Sequence, residues 1–112
     1  KKHGSQFLAD APLGIVVIAD AEECDVWTED ASIASTIIQL TAQSLGLGSC
    51  WIQIRRRYLT DEIKSGDYIK EILNIPSKYG IECIIAIGYP DETKRAYEEE
   101  ELLYSKLHYD RF

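Results

Sequence analysis

A chain of 112 residues holds one domain with one modest core, and its formal net charge of −7 argues against nucleic acid or anionic membrane as the main partner, since both require a positive surface. No apolar run approaches the roughly 20 residues that span a bilayer, so a soluble, cytoplasmic protein without membrane contact is expected.

The first residues, Lys1 to Asp10, read as the exposed end of a helix running into Ala11-Pro12. The chain contains no methionine, and its start reads as a cut through a longer protein. Pro12 to Asp20, PLGIVVIAD, is a continuous β-branched apolar run, the pattern of a strand covered on both faces. Asp25 is the expected cap of a long helix, with Glu29 and Asp30 placing negative charge in its first turn. Trp27, Ala31, Ala34, Ile38 and Leu45 follow helical spacing on one face, and Ile33, Ile37 and Leu40 make a second apolar ridge. A helix apolar on two sides lies between two layers, here its own sheet and a second element or subunit. Gly46 ends it, because glycine accepts the left-handed conformation of a helix cap.

Gly46-Leu47-Gly48-Ser49 has the composition of a phosphate loop but follows a helix and precedes a strand, the reverse of the order such loops need, so a cap and tight turn is the plainer reading. Ser49 to Ile54 is a second, short strand. Thr60 to Ile75 carries one or two helical turns, with Ser65 as cap, Ile69, Ile72 and Leu73 facing inward, and Pro76 as the stop. Ile81 to Ile87, IECIIAI, is the third strand, closed by Gly88-Tyr89-Pro90. Strands alternating with helices place the chain in the α/β or α+β class around a single sheet. Asp91 to Phe112 begins charged and ends in Leu102, Leu103, Tyr104, Leu107, Tyr109 and Phe112, too many large apolar groups for a solvated tail. That tail must dock, on its own subunit or on another.

Side chains with chemistry of their own are few. Cys24, Cys50 and Cys83 are odd in number and widely spaced, which fits neither a disulfide framework nor a zinc site and suggests a reducing, cytoplasmic setting. Cys50 and Cys83 lie in apolar strands, where cysteine acts as a small buried hydrophobe. His3 and His108 stand far apart without a matching ligand or nucleophile pattern, so no metal site is expected. Glu98 to Glu101 reads as a solvated face. Arg55, Arg56 and Arg57 form the one basic cluster, open to ion pairing with those acids, to solvation, or to recognition of an anionic substrate.

Taken jointly, LGLGSCWI, AIGYP and HYDRF, within a run from FLADAPLGIVVIAD to the C-terminal end, closely resemble the C-terminal part of the FMN-dependent nitroreductase family. The resemblance implies an α+β, three-layer fold: a central mixed or antiparallel sheet flanked by helices, a long dimer-interface helix and an extended tail, residues 91–112, docking on the partner subunit. It implies a homodimer with two FMN molecules at the subunit interface. Trp51, Ile52 and Gln53 resemble the family segment whose backbone lies along the flavin ring and offers an amide to its N5 side, and Lys94 and Arg95 resemble the basic pair reaching the FMN phosphate. The implied activity is NAD(P)H oxidation with reduction of nitroaromatic or quinone-like acceptors by ping-pong hydride transfer. The cofactor would carry the redox chemistry, so the protein needs no acid/base pair or nucleophile of its own. The family's N-terminal third, with an Arg-Ser-x-Arg type motif for the phosphate, has no counterpart in this sequence. Ile54-Arg55-Arg56-Arg57 stands where the family often has glycine or other small residues, which would narrow the substrate opening or favour anions. The alternative to an enzyme is a non-catalytic dimerisation fragment that does not retain FMN.

Overall fold

Strand β3, Tyr79–Gly88, runs down the middle of a three-stranded sheet, flanked by β1, Leu13–Asp20, and β2, Gly48–Gln53. The computed structural model describes residues 5–112, and among them every strand pair is antiparallel, so the class is α+β and the sheet is not mixed. His3 and the start of the expected N-terminal helix lie outside the described residues; Gln6–Ala9 forms a short 3-10 turn.

Residues Ile81 to Ile87 are all buried, because a central strand is covered on both faces and paired on both edges. Cys83, Ile85 and Ile87 pack with Val17, Ala31 and Ala42 on one face, while Ile81 and Ile84 pack with Ile54 on the other. A bulge opposite Val17 and Ile18 leaves Glu82 as the extra residue, and the register shift carries Ile81 to the Ile84 face. The two-sided cover expected of PLGIVVIAD belongs to β3 instead. β1 is an edge strand, paired on one side only, and Val17 is its sole buried residue.

Helix α1, Trp27–Ser44, crosses the face bearing Cys83 and Ile85. Its N-cap is Val26 rather than Asp25 and makes no side-chain cap bond; Glu29 and Asp30 do lie in the first turn. The packed face is Trp27, Ala31, Ser35, Ile38 and Ala42, whereas Ala34 and Leu45, which spacing assigned to it, are exposed. Small residues win this face because they let the helix approach β3 closely. Ser35 is tolerated there because its hydroxyl donates to the Ala31 carbonyl at 2.7 Å, the sulfur of Cys83 lying 3.1 Å away. Beyond the helix, Gly46 has φ +73°, its N–H bonds the Gln43 carbonyl, and the Leu47 N–H bonds that of Ala42 at 2.9 Å, a paired closure of the helix end that needs a left-handed residue.

Helix α2, Ser65–Leu73, takes Lys64 as its N-cap, with Ser65 already its first helical residue. It ends on Asn74 at φ +54°, two residues before Pro76, because asparagine accepts the left-handed conformation. Ile69 packs beneath the sheet, but Ile72 and Leu73 are exposed. The segment after Pro90 carries two 3-10 turns, Glu99–Glu101 and Tyr104–Lys106, and every residue from Tyr89 onward is exposed. It extends the molecule to a radius of gyration of 17.0 Å, against about 13 Å for a compact chain of this length. Among the described residues no helix is long and apolar enough to cross a membrane.

Candidate functional site

The free edge of β2 sets the site. Ile54 donates to the Glu82 carbonyl at 3.1 Å, which fixes the phase of the β2–β3 ladder. In an antiparallel pair the bonded positions alternate, so Cys50, Ile52 and Ile54 spend their backbone groups on β3, while Ser49, Trp51 and Gln53 turn theirs outward. Among the described residues no strand lies on that side, and the outward amides of Trp51 and Gln53 meet no acceptor. The Ile52 amide, which the family resemblance groups with them, is occupied by the sheet.

A side-chain relay stiffens this edge. Trp51 Nε1 donates to Gln53 Oε1 at 2.9 Å, and Gln53 Nε2 donates to Glu82 Oε1 at 3.0 Å. Glu82 is 4 % exposed, and its other oxygen has only the Arg55 Nε, 3.7 Å away, as a neighbouring charge. The Arg55 guanidinium also stands over the Trp27 ring, 5.8 Å from its centroid. A buried carboxylate is unfavourable unless bonded and paired, so Glu82 favours the one arrangement in which Gln53 and Arg55 both face it. Sequence reasoning missed Glu82. Its signal was a single acid inside the otherwise apolar IECIIAI.

On the opposite face of the sheet, Cys50 and Ile52 border a cavity of about 520 Å³ with Leu8, Tyr68 and Ile69. Cys50 is exposed, contrary to the buried role expected of it, because its position on the edge strand faces this opening. Cys83 is buried as expected, and burial pushes its thiol above the ordinary value against the opposing pull of the Ser35 hydrogen bond.

Lys94 and Arg95 lie on the exposed segment after Pro90, whose ring packs 3.5 Å from where a Cβ on Gly48 would stand. Lys94 Nζ pairs with Glu92 at 2.9 Å, and Arg95 makes a two-pronged pair with Glu101. The hydrogen bond to Glu92 raises the Lys94 ammonium above its usual value, and that to Glu101 does the same for Arg95 while holding the Glu101 carboxyl low. No hydrogen bond or ion pair joins either base to β2. The arginine cluster makes no pair with Glu98 to Glu101 either; Arg55 faces Glu82. Among the described residues no group of acids, cysteines and histidines could hold a metal ion.

The sequence pattern described as "Nitroreductase family" matches residues 1–89. The chain belongs to the nitroreductase family. A structure of an FMN-dependent nitroreductase from Clostridium difficile R20291 superposes with a TM-score of 0.95 at 58% identity, covering 99% of this chain and 64% of that one. A protein of Archaeoglobus fulgidus, provisionally named an NADH dehydrogenase/NAD(P)H nitroreductase, is 33% identical over 86% of this chain and 55% of its own length. A Methanothermobacter thermautotrophicus protein of the same provisional name is 36% identical over 74% of this chain and 42% of its own. The chain therefore spans about half the length of these curated nitroreductase relatives. The antiparallel sheet, α1 and the exposed tail are the nitroreductase fold as far as this sequence carries it.

Proposed function

We propose that this chain forms part of an FMN-dependent NAD(P)H oxidoreductase, with the flavin ring lying along the outer edge of β2. The observation that carries the reading is the pair of outward amides at Trp51 and Gln53, on a strand free to receive an acceptor and stiffened by the Glu82 relay. Such an edge suits a flat heterocycle whose ring nitrogen needs one fixed donor. The 58% identical structure is named for FMN dependence, which supports the same cofactor here. FMN would supply the redox chemistry, taking a hydride from NAD(P)H and passing reducing equivalents to nitroaromatic or quinone-like acceptors in ping-pong order.

This chain's own residues position and select. Gln53 would donate its backbone N–H toward N5, Trp51 would flank the ring, and Glu82 would hold the Gln53 side chain in place. Lys94 and Arg95 would meet the phosphate once it takes the place of Glu92 and Glu101, exposed carboxylates whose pairing is weak enough to exchange. α1 and the tail would face a second subunit, because Ile33, Ile37 and Leu40 form an uncovered ridge.

A proline scan along the edge tests the amide. Proline is tolerated at an outward-facing position of an edge strand, so Gln53→Pro removes the donor and spares the ladder, while Gln53→Ala removes the side chain alone. FMN affinity should fall further in Gln53→Pro than in Gln53→Ala, on the scale of about 0.5–1.5 kcal/mol for one hydrogen bond. Equal affinities in the two variants, both folded by circular dichroism, contradict the assignment. A chain that stays colourless in excess FMN would be the non-catalytic dimerisation fragment instead.

A further inference from the structure

Arg56 and Arg57 are exposed and Arg55 half-buried, and all three border one concave site. Arg55, Arg56, Arg57, Lys64 and Lys70 line one cavity of about 320 Å³ at the end of β2, with Asp67 as the only acid on its wall. Five cations against one carboxylate is a sharp local reversal in a chain of net charge −7. Like charges gathered in a concave site repel one another, and a bound polyanion relieves that repulsion.

Three observations separate this cavity from an ordinary solvated surface. Among the described residues Arg56, Arg57 and Lys64 form no ion pair, although the chain is rich in acids. The buried Glu82 is engaged by Gln53 and by Arg55, whose guanidinium stands over Trp27, so it neutralises none of the other cations of the cavity. Most tellingly, Arg56 has φ +56° within a turn closed by a 3.0 Å bond from the Arg57 N–H to the Ile54 carbonyl. That backbone favours glycine, yet an arginine occupies it. Arg56 thus accepts a backbone cost at the centre of the charged cluster, a cost that a contribution to binding would offset.

We propose that this cavity is a subsite for the phosphate groups of a small molecule, separate from Lys94 and Arg95. Arg56, Arg57 and Lys64 would contact phosphate oxygens directly, and Lys70, held by its bond to the Ser77 carbonyl, would add field from the floor. Ile54, Arg57 and Tyr58 line both this cavity and the larger apolar one beside β2, so an anionic group here would hang from a body lying next to Trp51 and Ile52. The phosphates of a nicotinamide dinucleotide and those of a phosphorylated acceptor share this chemistry. Assignment to either source rests on the flavin reading; the phosphate site itself does not.

Pyrophosphate titrated calorimetrically into the full chain should bind saturably, and Arg57→Ala/Lys64→Ala should weaken it by about tenfold or more, since hydrogen bonds to charged groups are the strong ones. Lys94→Ala/Arg95→Ala should remove at most a second, separate binding event and leave this one in place. Arg56→Gly is the decisive variant: it relaxes the turn, so its melting temperature should hold or rise while pyrophosphate affinity falls several-fold. No saturable binding by the parent chain, or equal affinity in parent, Arg57→Ala/Lys64→Ala and Arg56→Gly, overturns the proposal. The source follows from competition: NADH and NADPH displacing pyrophosphate identify the reductant, and a phosphorylated acceptor displacing it where they do not identifies the acceptor. A colourless protein that binds pyrophosphate would remove the flavin reading alone, and a yellow protein that does not would remove the phosphate subsite alone.

Discussion

Lys94 and Arg95 show how much a single side chain's partner matters. Both are paired with exposed carboxylates, and an incoming phosphate must displace Glu92 and Glu101 to reach them. Phosphate carries between one and two charges near neutral pH and three acceptor oxygens, enough to bond both bases in the proposed complex. Replacing both bases with alanine should weaken FMN binding by at least about tenfold, since hydrogen bonds to ionised groups contribute roughly 1.5–3 kcal/mol. Riboflavin lacks the phosphate, and its affinity should not change. Parallel losses for both ligands would mean general damage to the segment after Pro90. At this scale the sequence was legible only where a residue's partner is local. Gly46 could be placed at its turn, because that depends on its own backbone freedom. Cys50 and Glu82 could not be placed, because their burial depends on which strand is central, a fact carried by residues some 30 positions away.

At the scale of elements, the packed face of α1 includes one close approach to β3. A Cβ on Gly80 would stand 2.6 Å from the Trp27 ring, and an indole packed between helix and strand cannot swing aside as a flexible chain end does. Gly80→Ala should therefore destabilise the fold by about 1–3 kcal/mol, the usual cost of overpacking, and lower the melting temperature accordingly. An unchanged melting temperature would show that Trp27 is free to move. All three strands and both helices could be read from hydrophobic runs and breakers, because periodicity is a local property. What periodicity could not rank was cover: PLGIVVIAD and IECIIAI look alike, but only the second has strands on both edges. Helix faces drifted for the same reason. Spacing favoured Ala34 and Leu45, whereas the flat surface of β3 selected the small residues Ser35 and Ala42.

Among the described residues, α1 and the tail each leave an apolar surface without cover. Ile33, Ile37 and Leu40 are 60%, 58% and 65% exposed along one ridge of α1, and Leu103, Tyr109 and Phe112 stand clear on the tail. Ridges of this kind rarely persist on a soluble monomer. A homodimer joined along α1 and embraced by the tail should be seen by light scattering, and deleting Leu102 to Phe112 should weaken it. Ile37→Glu should dissociate it while circular dichroism still reports the helix. A stable monomer at micromolar concentration would remove the physical basis for an interface site. The tail's composition predicts docking, but the structure leaves it exposed, and the side on which it would dock is set by geometry that no local pattern encodes.

The central claim is that the free edge of β2 receives FMN. Flavin absorbance of the purified full chain, measured after incubation with FMN and removal of the unbound cofactor, tests it most directly. A yellow protein with one FMN per chain, holding its flavin more weakly in Gln53→Pro than in Gln53→Ala, is the predicted result. A folded chain that stays colourless in excess FMN, or one whose flavin is indifferent to Gln53→Pro, would contradict it.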